Sequence, residues 1–410
     1  MTFETNLEKY AELTVRVGLN IQPGQTLWIN APMHAPQLVR FIVKKAYEVG
    51  AKHVHIEWQD DICTQIKYKY APEEAFHEYP NWRAQAMDEL AANNGAYLLI
   101  EAADPELLKD VDTKRISAFS KAAGPKLVKW RESMSAYKMT WSIIAAPSPA
   151  WAKKVFPHLE EGEAINALWD AIFKATRVDQ ENPVETWIAH NATLRSKREQ
   201  LNEKQYRKIH YRAPGTELTV ELPDNHVWRG GAATNGTGGF DFNPNIPTEE
   251  VFISPHKSGT QGTVQSTKPL SYHGSLINNF TLTFENGRVV DYKAEQGFES
   301  LQAMIEMDEG AHYLGEIALV PHHSPISNSN LIFFNTLFDE NASNHLALGR
   351  SFPTCVQGGT SMSKEELEQV GLNDSLIHVD FMIGSADMDI DGELADGRIE
   401  PIFRGGNWAF

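Results

Sequence analysis

Around Tyr211-Arg212-Ala213-Pro214-Gly215 the chain changes its hydrophobic period, so no single fold class can cover both halves. Before that point strand and helix signals alternate. Residues 26–31 form a short apolar run after the Pro23-Gly24 turn. Residues 37–49 then carry Leu38, Val39, Ile42, Val43, Ala46 and Tyr47 at helical spacing, with Gly50 placed as a C-cap. Residues 53–58 give the next strand and close a βαβ unit; residues 96–101 and 139–144 repeat the strand signal between helical stretches. Such alternation predicts a mostly parallel sheet covered by helices. Beyond residue 212 the period is two. Residues 216–222 alternate as a half-exposed strand should, and residues 280–290 read as a hairpin closed by Asn286-Gly287. With 410 residues, more than one core can use, two domains are expected. They are an α/β N-terminal domain over residues 1–211 and a strand-rich α+β domain over 212–410.

The second half holds the residues with chemical potential. His378-Val379-Asp380 lies inside an apolar, strand-like run. Alternation on a strand puts the His378 and Asp380 side chains on one face, about 6 to 7 Å apart along it. An imidazole and a carboxylate so placed suit a divalent metal with mixed nitrogen and oxygen ligands, or simply a hydrogen-bonded pair. Three segments upstream repeat the pattern of ionisable groups amid apolar neighbours, where an unpaired charge is costly to bury: Glu249-Glu250 before Val251-Phe252, Glu316 before Ile317-Ala318, and residues 338–349 with Glu340 and His345. The combined inventory of Glu250, Glu316, Asp380, His345 and His378 fits a two-metal centre. Metals roughly 3.5 to 4 Å apart can activate one water between them and stabilise a tetrahedral oxyanion.

Each member also has a plainer reading. Glu249 and Glu250 face opposite ways if both are on a strand, and the pair could be a solvated edge. Glu316 could sit at a helix N-terminus, where the dipole favours a carboxylate. His345, in what reads as a helical Ala/Leu stretch, could be a packed histidine. His322-His323 falls between Pro321 and Pro325, as in a surface loop, and His34, His53, His55 and His226 read as structural or exposed. Cys355 has no basic partner at an informative spacing, and no Gly-x-Ser-x-Gly elbow supports a serine triad. The metal reading rests on the set.

Net charge is −17, and no basic stretch offsets it locally, which disfavours nucleic acid and anionic membrane as partners. No Gly-x-Gly-x-x-Gly or Walker loop follows a strand, so nucleotide binding has no support. Only two cysteines occur, Cys63 and Cys355, which rules out a disulfide framework or a Cys-rich zinc site and favours a reducing cytoplasm. The first residues lack the pattern of a signal peptide, and no apolar run reaches membrane-spanning length.

The opening Leu7-Glu8-Lys9-Tyr10-Ala11-Glu12-Leu13, residues 17–27, and the four blocks around Glu250, Glu316, His345 and His378-Val379-Asp380 resemble the aminopeptidase T and aminopeptidase S family of two-metal aminopeptidases. The resemblance runs over essentially the whole chain. It implies a metallo-aminopeptidase that releases N-terminal residues from peptides with two-metal-activated water. The ions, zinc, cobalt, manganese or magnesium, would be held by Glu250, Glu316, His345, His378 and Asp380, with Glu316 as bridge. It also implies a homodimer with an enclosed active-site chamber. Glu249, Glu340 and Glu316 itself are candidates for the proton-transferring carboxylate, which sequence does not separate. Another two-metal hydrolase, acting on amides or phosphoesters, and a metal-stabilised binding protein are the alternatives; Arg350 is the only basic residue in the four blocks, mildly against a phosphate substrate. One position departs from the family: a tyrosine is usual a few residues after the third-block histidine, and here Phe352 keeps the ring without the hydroxyl. The apolar Leu346-Ala347-Leu348 just before it predicts a packed ring and no large gain on restoring the hydroxyl.

Overall fold

A computed structural model describes residues 2–102, 104–108, 111–272 and 275–410. It contains two compact units, one formed by residues up to His190 with Ala232–Pro247, the other by Asn191–Gly231 with Thr248–Phe410.

The first unit has a four-stranded sheet of β1 (Thr26–Pro32), β2 (His53–Gln59), β3 (Ala96–Glu101) and β4 (Thr140–Ala145), in the order β2-β1-β3-β4 and parallel throughout. Parallel neighbours need long crossovers, and helices supply them. The helix Pro36–Glu48 buries Leu38, Val39, Ile42 and Ala46, the residues whose spacing predicts it. Gly50 follows with a φ of 99°, a conformation that favours glycine, and so ends the helix. The 232–247 segment joins this unit because Asn245 bridges to Ile143, on the β4 edge; Ile143 N–H donates to the Pro244 carbonyl and Ile246 N–H to the Ile143 carbonyl.

The second unit is built from antiparallel sheets. In the larger, nine-stranded sheet, Ser275–Glu285 and Arg288–Gln296 form the hairpin read from the sequence. Asn286 and Gly287 have φ of 50° and 82°, both positive as a tight hairpin turn requires. The smaller sheet holds the candidate site. Its five strands run in the order His378–Met382, His345–Gly349, Leu314–Leu319, Val251–Ile253, Arg229–Gly230, each antiparallel to its neighbours.

This sheet corrects one local reading: residues 345–349 are a strand, not part of a helix. All five are buried, and a short continuous apolar run reads alike for a buried strand and a buried helix. Its position between two partner strands decides the matter. Among the described residues, no helix is long and apolar enough to cross a membrane.

Candidate metal centre

Alternation gives the five-stranded sheet two unlike faces. Val251, Ile253, Ile317, Leu319, Leu346, Leu348 and Phe381 belong to one buried apolar cluster. The residues between them carry the polar groups on the other face. The register then decides which groups meet. Glu316 pairs with Ala347, which pairs with Asp380, so two carboxylates flank a methyl group in one cross-strand row. The next row runs Phe252, Ala318, His345, Met382, and His378 lies opposite Gly349. Glu250 precedes the Val251–Ile253 strand and reaches the same place. Small residues in the middle of these rows leave room above the sheet for the longer side chains around them.

The site's distances are short. His345 Nε2 is 3.2 Å from Glu250 Oε2 and 3.9 Å from Glu316 Oε1. His378 Nε2 is 3.0 Å from Glu316 Oε2 and 3.5 Å from Asp380 Oδ1. Two ligand-type groups result, Glu250–Glu316–His345 and Glu316–His378–Asp380, each with its donor atoms within 4.8 Å of one another. Glu316 is common to both and turns one oxygen toward each imidazole. It is 4 % exposed and His345 1 %.

Both imidazoles are oriented from behind by backbone. His345 Nδ1 is 3.2 Å from the Ser343 carbonyl, and His378 Nδ1 is 2.7 Å from the Arg350 carbonyl. A carbonyl can only accept, so each Nδ1 carries the proton and each Nε2 is turned to the carboxylates. A neutral Nε2 lone pair facing carboxylate oxygens is repelled unless a proton or a cation lies between them. In the metal-free protein, protons fill that role. Burial presses the His345 pKa down, but the hydrogen bond to Glu250 and the charges of Glu250, Asp380 and Glu316 raise it to about 10. His378 is likewise raised well above the ordinary range, Asp380 and Glu316 overcoming the effect of its burial. Burial lifts Glu316 to about 7; the hydrogen bond from His378 opposes this, while Asp380 and Glu250 add to it. Burial would raise Asp380, yet the charge and hydrogen bond of His378 hold it below the usual carboxylate range. Carboxylates and Nδ1-anchored imidazoles converging on one buried place are a donor set that fits divalent ions, with the carbonyls of Ser343 and Arg350 as the outer partners such ligands need.

The other sequence candidates lie outside both groups. Glu249 is buried, and its N–H donates to Asn341 Oδ1 at 2.7 Å. Glu340 is half-buried, with a carboxyl pushed well above its ordinary pKa by burial first and then by the charges of Glu250 and Asp380. Arg350 Nε is tied to the Ser375 carbonyl at 3.2 Å. Cys355 is fully buried, which pushes its thiol up to about 12 and makes it a poor nucleophile. His322 is half-buried and His323 exposed. The Phe352 ring lies 4.8 Å from the His378 ring and 5.5 Å from that of Phe252. It stands beside a candidate ligand and packs against the buried apolar cluster as well. Sequence reasoning missed the carbonyls of Ser343 and Arg350 and the spacing role of Ala347. Backbone acceptors carry no sequence signal, and an alanine gains meaning only from the strands beside it.

Residues 3–408 match the family described as thermophilic metalloprotease (M29). The chain belongs to the M29 metalloproteases. It is thus a metal-dependent peptide hydrolase. Aminopeptidase 2 of Geobacillus stearothermophilus is 59% identical over 408 residues, covering 100% of this chain and 98% of that protein. Aminopeptidase AmpS of Bacillus subtilis is 54% identical, with 100% of each covered. Among solved structures, wild-type AmpT from Thermus thermophilus superposes with a TM-score of 0.93 at 39% identity, covering 100% of both chains.

Proposed function

We propose that this M29 protein is an aminopeptidase that uses two divalent ions, with Glu250, Glu316 and His345 holding one, Glu316, His378 and Asp380 holding the other, and Glu316 bridging. The observation that carries the reading is Glu316 itself, a single buried carboxylate with one oxygen toward His345 and the other toward His378. The related proteins named above are aminopeptidases, which supports removal of N-terminal residues rather than internal cleavage. Zinc, cobalt, manganese and magnesium all suit oxygen and imidazole donors. When bound, such ions polarise a scissile carbonyl and lower the pKa of water.

The protein's own residues have separable duties. The Nδ1–H bonds from His345 and His378 to backbone carbonyls fix both rings, so little reorganisation is needed at the moment of reaction. Ala347 keeps the row between Glu316 and Asp380 open. Glu249 and Glu340, outside both groups, are the carboxylates left to move a proton to the departing amine and to meet the substrate's own amine. Residues 212–410 form the catalytic part in this reading. A homodimer in the cytoplasm belongs to it as well, resting on the family resemblance and on two cysteines that are both free.

The test is hydrolysis of leucine p-nitroanilide by purified protein before and after chelation, with elemental analysis of the active form. Two divalent ions per chain and activity lost to the chelator are expected. Metal-free protein with undiminished activity would remove the reading.

A further inference from the structure

The two ligand groups have unlike surroundings at their two ends. At Asp380 they are polar, where Ser271, Asn335 and Thr336 line a small cavity with that carboxylate. At His378 they are aromatic. The Phe352 ring lies 4.8 Å from the His378 ring, and the Phe252 ring meets Phe352 edge-on at 5.5 Å. Phe252 shares a cross-strand row with Ala318 and His345, so the register turns it to the face that carries the ligands. Both rings pack against the buried apolar cluster, yet each is only half-buried. Part of their apolar surface is therefore open beside the imidazole.

A single exposed apolar side chain carries no meaning, since much of any protein surface is apolar. Two rings braced against each other and against a candidate ligand make a fixed apolar wall. In a peptide the first side chain is one Cα away from the first carbonyl. A substrate whose first carbonyl reaches the ligand groups must therefore place that side chain within a few ångströms of them. An apolar side chain loses water favourably against the rings, whereas glycine has nothing to place there. We propose that Phe252 and Phe352 form the subsite for the side chain of the substrate's first residue and select apolar side chains over glycine. This rests on the aminopeptidase reading and names the substrates that it favours.

Kinetics and calorimetry on metal-loaded protein test it together. Wild-type kcat/KM should be at least roughly tenfold higher for leucine p-nitroanilide than for glycine p-nitroanilide, the scale of apolar contact in a pocket. Calorimetry should show tighter binding of L-leucinol than of 2-aminoethanol, neither of which is turned over. Phe252→Ala should bring both ratios close to one, and Phe352→Leu should move them in the same direction. Phe252→Leu keeps an apolar side chain against the core, so it reads the wall even if the alanine variant does not fold. It should raise kcat/KM for phenylalanine p-nitroanilide relative to the leucine substrate, because a smaller wall leaves room for a larger side chain. If Phe252 served only to hold the fold, its variants would slow all three anilides by one factor and leave every ratio where it was. That result overturns the proposal, as does wild-type protein that treats glycine and leucine substrates alike. The two readings fail separately: wild-type protein inert toward all the anilides counts against the peptidase reading, whereas equal binding of leucinol and 2-aminoethanol counts against the wall.

Discussion

Glu316 concentrates the chemistry at the scale of single residues because it serves two imidazoles at once. Glu316→Gln should therefore be the most damaging single ligand change, lowering activity at least roughly a hundredfold and reducing content of both ions; kinetics and elemental analysis of the same preparation check it. A near-normal rate there, with His345→Ala inactive, would move the bridge elsewhere. His345 gives a pH dependence whose sign can be worked out. Its folded pKa lies above the ordinary value of 6.5, at about 10. The stability it gives to metal-free protein is full below 6.5 and is lost as pH rises through about 10. Chelated protein should thus melt at falling temperature over that window. Metal ions displace the same proton, so loaded protein should show a widening margin over chelated protein as pH rises. Thermal melts of both forms across the window decide it, and parallel curves would contradict the assignment. Phe352 stands against His378 and also packs against the buried apolar cluster. Phe352→Tyr should therefore give no large gain in kcat, which steady-state kinetics check. A clear rise in kcat with little change in KM would instead mean that the hydroxyl acts on the transition state.

At the scale of elements, the site is a property of strand register. One residue of slip would send Glu316, His345 and His378 to the apolar face and Leu346 and Leu348 to the polar one. Two small residues protect the arrangement. Ala347 separates Glu316 from Asp380 in their row, so Ala347→Leu should abolish metal binding while the far-ultraviolet circular dichroism stays native, at an overpacking cost of about 1–3 kcal/mol. Gly349 has a φ of 110°, and a Cβ placed there would come within 2.2 Å of the Ile377 carbonyl oxygen. Gly349→Ala must therefore displace the strand carrying His378, and both metal content and melting temperature should fall.

At the scale of the whole molecule, all five proposed ligands come from the Thr248–Phe410 part of one compact unit, though 130 residues separate the first from the last. Ions that bind only the folded arrangement stabilise it by mass action, about 2.7 kcal/mol at a hundredfold excess over Kd. Restoring metal to chelated protein should accordingly raise the melting temperature together with activity. Activity that returns without any thermal shift would argue against a centre assembled by folding.

Sequence alone determined the two fold classes, because periods of 3.6 and two are written into the spacing of apolar residues and need no partner to be read. It also supplied the five ligand types, since ionisable groups amid buried-type neighbours are costly without compensation. It did not determine that residues 345–349 are a strand, because a wholly apolar run has no period. Nor did it place residues 232–247, whose pairing with the edge of β4 depends on two segments about a hundred residues apart. Only the tertiary structure decided that Glu316 faces both histidines and that Ser343 and Arg350 orient them through their carbonyls. Those are relations among strands, set by register and packing, and no single segment contains them.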